Sequence, residues 1–274
     1  MSISLTTDEK AILSSVSIPP RPEVLLKFSE EAKKAEPNIS VISNILQSDV
    51  AISAAILQVV NSAAFRRCKE IESIDQAIMT LGLKRLVPLV RAVALQSTIG
   101  DDPKLSNFWD SQTEIAQFSA SIASKLNKTT LSNHAYMLGL FHFVGVPILN
   151  QHFAEYSSII ELANQAGWDH AADEEVALFK TSHTTIGALL AQQWGLPKAM
   201  IYVIYYLHDT EGIFTSGELD QSGLDLMSIL KLARHLQFIK SNPENTDNEW
   251  ANIVDDVVDH LGCDEEELTE LIAE

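Results

Sequence analysis

Apolar residues recur three and four positions apart along almost the whole chain, and nowhere do they alternate with period two. That spacing predicts helices and no strands. Behind Asp49, a capping residue, Val50, Ile52, Ala55, Ile56, Val59 and Val60 form one apolar face. Ser73 and Gln76 stand at capping-box spacing ahead of Ile74, Ala77, Ile78 and Leu81, and Gly82 closes that helix. A further helix is predicted from Lys84 to Ser97, with Pro88 near its first turns. Helices then follow at about 106–126, 133–144 and 154–166, the last stopped by Gly167. Asp169 starts the next. Trp194-Gly195-Leu196-Pro197 is a stop and restart ahead of 197–208, and further helices run at about 223–240, 248–261 and 265–273. The last carries Asp264 and Glu267 at capping-box spacing. The expected fold class is all-α, and no internal repeat is visible.

Two breaks divide the pattern. Asp101-Asp102-Pro103 separates an N-terminal helical subdomain, 1–104, from a helical bundle, 105–214. The Gly-, Ser- and Thr-rich stretch Thr210 to Gly223 leads into an acidic C-terminal extension, 215–274. That extension is expected to pack on the bundle through Leu224, Met227, Leu230, Leu232, Ala233 and Leu236, and through Trp250, Ile253, Val254 and Val257.

Charge sharpens this division. The 274 residues carry a formal net charge of -18, but residues 1–104 hold 12 basic and 12 acidic side chains, whereas residues 241–274 hold 12 acids and no base. Phosphate affinity rests on clustered Lys and Arg, so nucleic acid is not an expected partner. The longest charge-free stretch, Thr129 to Ala154, has an apolar centre of only 15 residues, interrupted by His142, Gly145 and Pro147. A membrane span needs about 20, so the segment reads as buried core and no membrane is expected. The N-terminus lacks a secretory pattern, and Cys68 and Cys263 have no metal-ligand spacing; a cytoplasmic location is the expectation.

The chain carries no His-Glu-x-x-His pair, Walker loop, Gly-x-Ser-x-Gly elbow or Cys-x-x-Cys. Its chemistry therefore rests on eight histidines, most of which read as packed core residues. The acid pairs Asp173-Glu174-Glu175 and Asp255-Asp256 read as helix first turns and solvated faces. Arg66, Arg67, Lys69, Lys84, Arg85 and Arg91 form a candidate patch for an anion or a partner, against a plain solvated face compensated by Glu70, Glu72 and Asp75. Tyr202, Tyr205 and Tyr206, at helical spacing, read as a core stripe, and the terminal acids as a solubilising helix face.

Several segments, taken in order, carry a family resemblance. They are Ile18-Pro19-Pro20-Arg21-Pro22-Glu23-Val24, Ile45-Leu46-Gln47-Ser48-Asp49-Val50, Val60-Asn61-Ser62-Ala63-Ala64-Phe65 and the long motif from Ser73 to Leu86. Gly139-Leu140-Phe141-His142-Phe143-Val144-Gly145, His183-Thr184-Thr185-Ile186-Gly187, Trp194-Gly195-Leu196-Pro197 and His208 complete them. Across roughly residues 18 to 210 the chain resembles the HDOD family, regulatory relatives of the HD metal-dependent phosphohydrolases.

The resemblance implies an N-terminal helical subdomain packed on an HD-like bundle. It also places Phe143 where catalytic relatives have the metal-binding aspartate of the His-Asp pair, and Ser111 where they have an upstream histidine. Asp110 replaces that histidine only if its helix turns by about 100°. His142, His183 and His208 remain, so Ser111, His142, Phe143, His183 and His208 mark a vestigial metal site. No catalytic residue and no cofactor are expected; a divalent metal, if held, would rest on His142, His183 and His208. The implied function is a non-catalytic bacterial signalling module working through a protein partner. The alternatives are a metal-dependent phosphohydrolase acting on a nucleotide and a nucleotide sensor without turnover.

Overall fold

A computed structural model describes residues 22–61, 71–99, 106–210, 212–244 and 246–264, with 16, 267, 268 and 271. The described residues are helical throughout apart from turns. Five helices come first: α1 (Glu23–Ala32), α2 (Ile39–Gln47), α3 (Val50–Val60), α4 (Ile74–Leu81) and α5 (Leu83–Ile99). Asp49 caps α3 by accepting from the Ile52 N–H at 3.0 Å, and Ser73 caps α4 through the Gln76 N–H at 3.2 Å. Gln76 reaches back one residue beyond the usual box and accepts from the Glu72 N–H at 2.8 Å. Asn61 ties the end of α3 to Ile71, its side chain both donating and accepting at 2.8 Å. Pro88 lies inside α5, which packs against α1, α3 and α4 on one side and reaches the bundle on the other.

The bundle comprises α6 (Ser106–Lys125), α7 (Ser132–Phe141), α8 (Gly145–His152), α9 (Ser157–Ala166), α10 (Trp168–Phe179), α11 (His183–Gln193) and α12 (Lys198–Tyr205). A single 3₁₀ turn, Ala154–Tyr156, precedes α9. α6 and α7 form the most extensive helix pair. Their close approach depends on Gly139, where an added Cβ would lie 2.6 Å from the Ala116 Cα. The helix predicted over 133–144 ends earlier, at Phe141, and a separate helix begins at Gly145. The physical reason is contact: a Cβ on Gly145 would stand 2.0 Å from the His183 carbonyl oxygen, so the chain turns where α8 meets the start of α11 backbone to backbone.

Two last helices follow, α13 (Gln221–Ser241) and α14 (Asn248–Leu261), capped by Asp220 and Asp247. α13 packs on α6, α7, α12 and α14, and it buries Leu226, Met227, Ile229, Leu230, Leu232 and Ala233. α14 buries Ile253 and Val257 and leaves Asp255, Asp256 and Asp259 on its outer face. Asp264 and Glu267 make a reciprocal capping box, each accepting the other's backbone N–H; the rest of the predicted 265–273 helix falls mainly outside the described residues. So does the Asp101-Asp102-Pro103 break. The buried apolar side chains from α1 to α13 form one contiguous core. No single described helix is long and apolar enough to cross a membrane, and α2 with α3, which pass only as a pair, meet at 111°.

Candidate functional site

α7 delivers His142 and Phe143 at its C-terminal end, α11 begins with His183, and His208 follows α12. The fold brings these four together at the centre of the bundle. Phe143 is the hub. Its ring centroid lies 4.3 Å from that of His142, 5.1 Å from His183, 6.0 Å from His208 and 4.9 Å from Trp168. A phenyl ring thus occupies the space around which the three imidazoles are arranged.

The hydrogen bonds determine where the imidazole protons sit. Nδ1 of His142 faces the Gly139 carbonyl at 2.7 Å, and a carbonyl only accepts, so Nδ1 carries the proton and Nε2 is a bare lone pair. His183 Nδ1 lies 2.8 Å from Glu175 Oε2, and the His183 backbone N–H donates to Glu175 Oε1 at 2.8 Å. The Tyr156 hydroxyl donates to the same carboxylate. With the His183 proton at Nδ1, facing Glu175, its Nε2 is the acceptor of the 3.0 Å contact and His208 Nε2–H the donor. His208 Nδ1 is then bare as well. Both bare nitrogens, His142 Nε2 and His208 Nδ1, are buried without a hydrogen-bond partner. Burial first, then positive neighbours and nearby imidazoles, holds the pKa of each well below the usual imidazole range; Arg234 and Lys231 act on both. Both rings are therefore neutral at physiological pH.

Three residues of the C-terminal helices complete the cluster, and the sequence reading placed none of them there. The Arg234 guanidinium lies over the Phe143 ring, 4.8 Å from its centroid. Glu249, on α14, grips it with both oxygens, at 2.8 Å from Nη1 and 2.6 Å from Nη2. Lys231, fully buried, donates to the Leu207 carbonyl at 2.5 Å, next to His208, and also pairs with Glu249. Burial lowers the Lys231 pKa, opposed by Glu249. Burial works to raise that of Glu249, but the two cations outweigh it and hold it below the usual carboxylate range.

Glu175 corrects the sequence reading. Asp173 and Glu174 are exposed, but Glu175 is buried with 0% exposure between Ala171 and Phe179 on the inner stripe of α10. The signal was its spacing: four residues from each of two apolar neighbours. Ser111 accepts from Gln237 of α13 at 3.3 Å, while Asp110 faces solvent. Of the basic patch, Arg66, Arg67 and Lys69 lie outside the described residues. Lys84 is exposed, Arg85 half-buried, and Arg91 reaches away to the Gly195 carbonyl at 3.2 Å. Tyr202, Tyr205 and Tyr206 are half-buried and in ring contact, with Lys198 over Tyr202.

These residues do not fit a divalent metal. Among the described residues no group of three or more His, Cys, Asp or Glu side chains is placed to hold an ion. A carboxylate behind a histidine is a common arrangement in metal sites, but here the next position is filled by Phe143, and two buried cations stand beside it.

The sequence matches the HDOD domain family over residues 18–210, more than half of its length. The chain belongs to the HDOD family. Among solved structures, a Geobacter sulfurreducens HDOD domain protein superposes with a TM-score of 0.69 at 21% identity, covering 97% of this chain and 91% of its own. A Shewanella amazonensis SB2B protein, provisionally named a phosphohydrolase, gives 0.69 at 25% identity, covering 96% and 93%. An uncharacterized protein of Treponema pallidum (strain Nichols) is 28% identical over 220 residues, which are 76% of this chain but 42% of that relative. The chain therefore spans less than half the length of this curated relative. Lys231, Arg234 and Glu249 all lie beyond the matched HDOD residues, which is why the family pattern gave no sign of them.

Proposed function

We propose that this HDOD chain is a non-catalytic signal-transduction module that acts in the cytoplasm by presenting its helical surface to a protein partner. One observation carries the reading: the Phe143 ring sits among His142, His183 and His208, and Arg234 covers it. Metal-assisted phosphoryl chemistry needs an ion with an open coordination position beside the substrate. A phenyl ring offers no lone pair, and a guanidinium repels the ion. The surrounding helices keep their family motifs, so the fold is retained without the donor set that hydrolysis requires.

A second reading, metal-dependent hydrolysis of a nucleotide, draws support from the provisional name of the Shewanella relative. The two are separated by incubating the purified full chain with Mn²⁺ and a panel of nucleotides and cyclic dinucleotides. The module reading expects no product above that of His142→Ala. Turnover abolished by chelator and by His142→Ala would replace it with the hydrolase. Calorimetric titration with the same panel tests binding without turnover.

A further inference from the structure

The buried cluster already holds two cations. Lys231 and Arg234 both pair with Glu249, and Arg234 lies over the ring that contacts the imidazoles. An added divalent ion would bring two further positive charges beside them into a dry interior, where such an imbalance is heavily penalised. Arg234 is moreover placed where the imbalance would be felt. Its guanidinium lies 4.8 Å from the centroid of the ring around which all three imidazoles are arranged.

We propose that the Arg234 guanidinium, docked on Phe143 and clamped by Glu249, is the built-in cation of this cluster and takes the electrostatic place of a metal ion. Phe143 supplies the surface on which it rests, since a cation over an aromatic face is stabilised most when desolvated. The two act as a pair. Replacing the ring by a carboxylate while Arg234 remains gives a new internal ion pair and still no vacancy for a metal. Only removal of both leaves an unpaired carboxylate beside His142, His183 and His208, a donor set that zinc can satisfy.

The test compares the full chain with Phe143→Asp, Arg234→Met and the double variant, each with zinc and with chelator. Wild type and Phe143→Asp are expected to retain no zinc after gel filtration, and their unfolding midpoints are expected to ignore both additions. The double variant is expected to retain about one zinc per chain, and its midpoint to rise by about 5 °C or more at saturating zinc. Should it be unfolded without metal, zinc is expected to refold it, which circular dichroism reads directly. Stoichiometric zinc in wild type, equal uptake by Phe143→Asp with Arg234 in place, or a double variant that takes up none, folded or not, each overturns the proposal. Wild type and Phe143→Asp decide two of these outcomes even if the double variant is hard to isolate.

Discussion

Replacing Glu175 tests whether its buried carboxylate is a keystone of the bundle. The carboxylate accepts from the Tyr156 hydroxyl, the His183 N–H and His183 Nδ1, and no water reaches any of them. In Glu175→Leu all three donors lose their acceptor while the volume stays similar. At about 1–3 kcal/mol for each buried group left unsatisfied, the loss is at least about 3 kcal/mol. Glu175→Gln behaves differently. Its carbonyl keeps Tyr156 and the His183 N–H, and its amide then faces His183 Nδ1, which must become an acceptor. His183 can do so by moving its proton to Nε2, provided His208 Nε2 becomes an acceptor in turn and its proton moves to Nδ1. The network shifts by one tautomer at each ring, so what is lost is charge-assisted strength, about 2 kcal/mol. The gap between the variants, at least about 1 kcal/mol, corresponds to about 0.3 M or more in urea midpoint for a slope near 3 kcal/mol per M. Far-UV circular dichroism measures it, and nitrogen NMR of His208 reads the moved proton. Equal losses in both variants, or an unmoved His208 proton in the Gln variant, would refute this account of the network.

Two other predictions rest on single contacts. Gly145→Ala drives a methyl to 2.0 Å from the His183 carbonyl oxygen, and because backbone cannot yield as a side chain does, the loss is expected at about 3 kcal/mol or more. Gly187→Ala, whose new methyl meets side-chain methyls at 3.2 and 3.4 Å, is expected to lose less in the same urea titration, and the reverse order would count against the α8–α11 contact. For pH, His142 and His208 stay neutral when folded and take up protons near pH 6.5 when unfolded. The unfolded state then binds more protons below that pH. Stability is therefore level above about pH 7 and falls as pH drops, at up to about 2.7 kcal/mol per unit for the pair. Urea midpoints between pH 7.5 and 5 measure this, and a flat profile would contradict the assigned neutrality.

The all-α class and the caps at Asp49 and Ser73 were legible because they depend on residues within four positions of one another. The division between α7 and α8 was not, because it arises from Gly145 meeting His183, 38 residues away. His142, Phe143, His183 and His208 were found through motif order, and the fold does assemble them. Their cationic cover was missed for a physical reason. Lys231 and Arg234 are three apart on one face of α13, among Leu230, Leu232 and Ala233, and such cations usually reach past apolar neighbours into water. What turns them inward is Glu249, 15 residues beyond Arg234. Glu249 itself entered only as one of the 12 acids of residues 241–274.

The grip of Glu249 on Lys231 and Arg234 separates two boundaries that are easily taken as one. The family's sequence pattern runs only as far as residue 210, yet the polar interior assembled by that part is closed by side chains drawn from 231 to 249. A fragment trimmed to the matched residues would keep every motif and lose its own counter-ions. The charge pairing of the interior extends further along this chain than the pattern that identifies the family.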